Sequence, residues 1–208
     1  MTHRQQILDR IRRALSDTHQ PVAVPREYHQ AGDSPTTPAD LIRLFEGRLL
    51  DYRAAVRRCA HDQIATTIAS ALADRGATRV IAPDGVPSHW LPESVMDRAS
   101  MSADELDRLD GVLTTCTVAV AQTGTIVLDH GPGQGRRALT LIPDYHLVVV
   151  HAEQIVHSVP DAIAALDPRR PMTWISGPSA TSDIELTRVE GVHGPRRLEV
   201  VIVATRRI

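Results

Sequence analysis

Residues 52–82 read YRAAVRRCAHDQIATTIASALADRGATRVIA. Tyr52–Cys59 has the character of a short strand. His61–Arg75 carries Ile64, Ile68, Ala71 and Leu72 at helical spacing on one face, and Gly76 stands where a helix stops. Thr78–Ala82 is a second strand, β-branched and apolar. Strand, helix, strand is the grammar of a parallel sheet, because parallel neighbours need a long crossover.

The second half repeats that grammar. Ser102–Asp110 reads as a short helix, with Ser102 and Glu105 at capping-box spacing. Gly111–Thr115 and Thr125–Leu128 read as strands, with Val118–Gln122 as a helical turn between them. His146–Val150 is a buried strand. Glu153–Leu166 reads as a helix that Pro160 breaks or kinks. Met172–Ser176 and Leu198–Ala204 are strands. The expected fold is α/β, with a mostly parallel sheet flanked by helices.

Upstream, Pro38 or Ala39 to Leu50 reads as a helix, since proline is tolerated in a first turn. Residues 2–15 read as an amphipathic helix, with Thr2 as its N-cap and Ile7, Leu8, Ile11, Ala14 and Leu15 at helical spacing. Between them lie Pro21, Pro25, Gly32, Asp33, Ser34, Pro35 and Pro38, the composition of an irregular linker. Residues 1–37 are therefore expected to form an arm that docks on the body or on a partner, and residues 38–208 one α/β domain.

The 208 residues, 42% apolar and 23% charged, are enough to bury a core without disulfides. No apolar run approaches the roughly 20 residues of a membrane-spanning helix, and the charged N-terminus has no signal-peptide core, so the expected location is cytoplasmic. The formal net charge of −2 argues against nucleic acid as a partner. All 23 basic residues are arginine. Without lysine there is neither a Schiff-base nucleophile nor a P-loop. Two cysteines, Cys59 and Cys116, cannot hold a standard iron–sulfur cluster, and they read as small buried hydrophobes. No histidine spacing fits a metal site. No cofactor is expected.

Four segments are candidates for chemistry, and ligands of open parallel sheets bind at the carboxyl ends of strands. Thr123, Gly124 and Thr125 form a glycine-containing entry to a strand, either a tight turn or a close backbone approach. The loop 131–137 brings Gly133, Gly135, Arg136 and Arg137 together. Exposed amides and paired guanidiniums suit a carboxylate or phosphate, although a mobile loop with solvated arginines reads the same way. Residues 176–185 follow a strand with small and hydroxyl residues, including Ser179, and then Asp183 and Glu185. These are either an anion cradle with acidic groups nearby or a helix cap. His193, between glycines and close to Arg196, is either a surface turn or a ligand contact. Asp183, Glu185 and His193 are the candidate catalytic groups. If the loops after 172–176 and before 198–204 converge, they share a pocket.

Four runs occur in one order: Gln122–Leu128; Gly135–His146; Ser176–Ser179 with Ser182–Glu185; and Gly191–Arg197. Together they resemble the LUD-domain family, and within it the lactate utilisation protein C (LutC/YkgG-like) group, over about residues 40–205. The resemblance implies a fold of the NagB/RpiA/CoA-transferase type. It also implies a part in oxidising L-lactate to pyruvate beside two iron–sulfur partner proteins. Gln122 stands where the family pattern carries an acidic residue, and an amide cannot act as general acid or base.

Three functions remain open on the sequence. One is an accessory, non-redox subunit of a lactate-oxidising complex that binds a small carboxylate or phosphate anion. Another is a stand-alone CoA- or acyl-transferase-like or isomerase-like enzyme using Asp183 or Glu185, a reading by fold analogy. The third is a regulatory module that binds a small molecule.

Overall fold

A computed structural model describes residues 2–15, 37–98, 100–182, 188–190 and 193–204. The chain runs α1 (His3–Leu15), α2 (Pro38–Asp51), β1 (Ala55–Cys59), α3 (Ile64–Arg75), β2 (Val80–Ala82), β3 (Val95–Met96), α4 (Ala103–Asp107) and β4 (Gly111–Thr114). It continues through β5 (Val118–Val120), β6 (Thr125–Leu128), β7 (Tyr145–His151), β8 (Ile155–Val156), α5 (Val159–Ala165), β9 (Thr173–Ile175), β10 (Ala180–Ser182), β11 (Arg188–Glu190) and β12 (Arg197–Val203). A six-stranded sheet has the order β1-β12-β7-β4-β2-β3, and every pairing in it is parallel. A second sheet has the order β8-β5-β6-β9 and is mostly antiparallel. β10 and β11 pair as a separate antiparallel ribbon.

Two-residue alternation along the central strands explains the layers. Leu147 and Val149 of β7, with Val201 and Val203 of β12, pack on α3 through Ile64, Ile68, Ala71 and Leu72. The opposite set, Val148, Val150, Leu198, Val200 and Ile202, meets Phe45 and Leu49 of α2 and the inner face of the small sheet, Ala119, Ile126 and Leu128. The six-stranded sheet is thus covered on both faces, once by helix and once by helix plus sheet. α5 covers the outer face of the small sheet through Ala162, against Val118, Val120 and Val127.

Local signals set the ends of several elements. Thr37 and Asp40 form a capping box at the start of α2, and Ser102 and Glu105 form one at α4. Gly76 ends α3 in the left-handed conformation, φ +64°, which a residue without Cβ adopts at no steric cost. α1 forms over the expected residues, and none of them is buried.

Besides β3, β10 and β11, which the sequence reading does not assign, two stretches take a different form from the one expected. Val118–Val120 is a strand rather than a helical turn. Its β-branched valines fit a pleated, buried surface, and its backbone pairs with Thr125–Val127. Glu153–Leu166 is not one helix. A 3-10 turn at Ala152–Gln154 leads into β8, and α5 begins only at Val159, with Pro160 in its first turn. The proline lacks the N–H that a helix interior requires but a first turn does not.

Candidate functional site

A cleft of about 240 Å³ opens between the two sheets. Its walls include Arg137, Thr140, His146, Trp174, Ser176, Ser179 and His193. His146 and Leu198 are register partners, each the second residue of its strand. The cleft therefore lies at the amino ends of β7 and β12, not at the carboxyl ends expected from the sequence. The small sheet explains this, because the chain leaving β9 through Ser176–Ser179 crosses over the start of β12 and forms the cleft's outer wall.

The two expected loops do converge. The Ser179 amide donates to the Pro195 carbonyl at 2.8 Å, and the His193 amide donates to Ser179 Oγ at 3.0 Å. His193 thus lies on the cleft, while Asp183 and Glu185 lie outside the described residues. Ser176 Oγ is 2.8 Å from Thr125 Oγ1, which is 2.7 Å from Thr123 Oγ1. The Thr123-Gly124-Thr125 turn therefore acts as a support one layer behind the wall rather than as a lining. Gly124 sits tightly on Arg48 of α2, whose Nε donates to the Gln122 carbonyl at 3.1 Å.

The glycine-rich loop is elsewhere. The Gly133 amide donates to the Asp84 carbonyl at 2.7 Å, and the Thr115 amide donates to the Gly133 carbonyl at 2.8 Å. An added Cβ on Gly133 would lie 2.5 Å from Thr115 Oγ1, and one on Gly135 would lie 2.7 Å from Pro83. These glycines let the loop close tightly over the carboxyl ends of β2 and β4, away from the cleft lining.

The two neighbouring arginines part company. Arg136 turns to Asp97, with Nη2 3.3 Å from Oδ1, and also donates to the Met101 carbonyl. Its charge is satisfied by its own chain. Arg137 opens the 3-10 turn Arg137–Thr140, donates from Nη1 to Thr140 O and Oγ1 at 3.3 Å, and faces the cleft. It has no carboxylate partner among the described residues. Arg196 pairs with Asp144, Nε to Oδ1 2.6 Å, and does not line the cleft.

His146 is the site residue that sequence reasoning missed. It is 1% exposed, and its Nε2 lies 2.7 Å from Oγ1 of the fully buried Thr114 on β4. Burial first, and the Arg137 charge second, push its pKa down to about 4. The imidazole is therefore neutral near pH 7, with Nε2 committed to Thr114 and the other nitrogen left for the cleft.

A titration follows from this. The unfolded chain protonates near the ordinary value of 6.5 while the folded imidazole resists until about 4. The sign is that of a depressed histidine: this share of stability is whole above about pH 6.5 and is lost as pH falls toward 4. Urea unfolding between pH 7 and pH 4 should show the decline, and His146→Gln should flatten part of it. An unchanged slope in the variant would show that other groups carry it.

Neither cysteine is a candidate nucleophile. Both are free and buried. Burial pushes the Cys116 thiol up to about 12 and raises that of Cys59, so neither is a thiolate at neutral pH. Among the described residues no group of three or more His, Cys, Asp or Glu is placed to hold a metal, and no helix is long and apolar enough to cross a membrane.

The profile of the LUD domain matches residues 54–203. This chain belongs to the LUD-domain family. A protein named lactate utilization protein C from Deinococcus radiodurans is 47% identical over 205 residues, covering 95% of this chain and 94% of its own. A protein of the same name from Exiguobacterium sp. is 26% identical over 223 residues, covering 98% and 96%. The crystal structure of a DUF162-family protein from Deinococcus radiodurans superposes with a TM-score of 0.70 at 44% identity, covering 81% of this chain and 99% of that one. The α/β architecture with its mostly parallel sheet is thus that of a LUD-family fold.

Proposed function

We propose that this LUD-family chain is an accessory, non-redox component of L-lactate utilisation, the oxidation of L-lactate to pyruvate. It acts beside iron–sulfur subunits and binds a small carboxylate in the cleft between its sheets. The near full-length similarity to lactate utilization protein C carries the physiological role. Arg137 carries the ligand reading, as a cleft-facing guanidinium whose hydrogen bonds among the described residues go to Thr140. A guanidinium with hydroxyls beside it is a carboxylate receptor. The cleft, about 240 Å³, falls below the roughly 300–1,000 Å³ of pockets that hold drug-sized ligands. That favours a small acid over coenzyme A as its occupant. The electrons belong to the partners, since Cys59 and Cys116 are both buried protonated thiols.

Thermal unfolding with L-lactate and pyruvate tests the ligand half, because a ligand bound only to the native state raises apparent stability. Arg137→Ala is expected to weaken the effect by about tenfold or more in affinity, the scale of one charge-assisted contact, whereas Arg136→Ala leaves affinity unchanged. Equal loss in both variants, or in neither, would return Arg137 to the status of a solvated residue. Growth of the host on L-lactate, with and without the gene, tests the physiological half.

A further inference from the structure

We propose that the cleft reads the oxygen on the second carbon of its ligand through His146, so that it takes 2-hydroxy and 2-oxo carboxylates and discriminates against the plain acid. This inference rests on the carboxylate reading of the cleft and adds to it a determinant of specificity.

His146 lines the cleft together with Arg137, close enough for the guanidinium to act on its ring electrostatically. Its Nε2 is held by the Thr114 hydroxyl on the adjacent strand, and the register that pairs His146 with Val112 and Val148 with Thr114 keeps the two residues on one face. A neutral imidazole has one donor and one acceptor nitrogen. When Thr114 donates to Nε2, the Nδ1 position carries the proton and offers a hydrogen bond to a carbonyl or hydroxyl oxygen. When Thr114 rotates and accepts, Nδ1 is an acceptor and takes the proton of a hydroxyl. The hydroxyl rotor lets the ring satisfy either oxidation level without a change in charge. A cleft this small keeps the second carbon of a carboxylate held by Arg137 close to the other lining residues, His146 among them. A ligand lacking oxygen there leaves the imidazole nitrogen desolvated and unpaired, which costs binding.

Burial makes this reader insensitive to pH near neutrality, since the ring stays neutral well below pH 6. His193 is the other histidine on the cleft, but it is exposed and sits on the loop side, so water satisfies its ring whichever ligand is bound.

Calorimetric titration of the full chain with L-lactate, pyruvate, propionate and inorganic phosphate decides the matter. L-Lactate and pyruvate are expected to bind about tenfold or more tightly than propionate, on the scale of a buried hydrogen bond. In His146→Phe that preference is expected to vanish while propionate affinity holds. Propionate equal to lactate on the wild-type chain would overturn this inference while leaving the carboxylate site intact. Phosphate tighter than every carboxylate would also overturn it. If no carboxylate binds at all, the reading of the cleft fails first and this inference falls with it. Should His146→Phe not fold, the wild-type series still decides, and so does the nitrogen chemical shift of His146. That shift is expected to move with lactate and pyruvate and to stay with propionate.

Discussion

Replacing Arg57 by leucine is expected to destabilise the fold by about 3–5 kcal/mol, the cost of leaving a buried charge without its partner. The charge is that of Glu199, whose side chain is 2% exposed. It points from β12 toward α3 and is held at 2.5 Å by Arg57 Nε, at 2.9 Å by the Tyr145 hydroxyl and at 3.3 Å by Arg75 Nε. Arg57 is the closest of the three and is itself anchored by Asp74 and Ser70. Without it, the carboxylate keeps one longer contact to a guanidinium that is partly in water. Burial and the Glu199 charge both raise the pKa of Tyr145, so the hydroxyl remains a donor. The double variant Arg57→Leu with Glu199→Leu is expected to regain most of the loss, because removing both charges removes the desolvation problem. Urea unfolding of the two variants reads this directly. A double variant as weak as the single would mean that packing of the side-chain stems, not charge, holds this edge of the sheet.

Much of this architecture is legible in residues 52–82 alone, because apolar spacing and Gly76 fix a helix between two strands. α2 and α4 were legible for a similar reason, since Thr37 with Pro38, and Ser102 with Glu105, are local chemistry. What the sequence hides depends on distant partners. Residues 118–120 are too few to show a period, and only pairing with Thr125–Val127 makes them a strand. β3 is two residues long and carries no signal of its own.

The site divides along the same line. The segments around Ser179 and His193 stand out for their glycines and hydroxyls, and they meet in space. Arg136 and Arg137 look alike in sequence, yet Asp97, 39 positions away, neutralises one and leaves the other on the cleft. His146 opens an apolar run, Leu147–Val150, and its sequence neighbours do not announce a site. Its role depends on Thr114, 32 positions upstream and one strand over. The single clue available was a polar residue at a strand position that must face the core, where a buried polar group needs a partner.

The chain's single phenylalanine ties the cleft's support to the core. Phe45→Ala is expected to destabilise by about 3–5 kcal/mol, the range for emptying a fully packed aromatic site. Phe45 is 0% exposed on α2, within the cluster shared by Val148, Val200 and the inner face of the small sheet. It therefore sits where helix and both sheets meet, so no one element can collapse into the void without breaking contact with another. Phe45→Leu, which keeps most of the volume and the apolar surface, should cost far less. α2 also carries Arg48, which holds the Gln122 carbonyl behind the Thr125–Ser176 hydroxyl pair of the cleft wall. A loosened α2 should therefore weaken carboxylate binding as well as lower the unfolding temperature, by roughly 10 °C at about 2–4 °C per kcal/mol for a chain of this size. Thermal unfolding with and without L-lactate separates the two effects. If Phe45→Ala loses stability but keeps the full ligand shift, the wall is held by the sheet alone and α2 serves only the core.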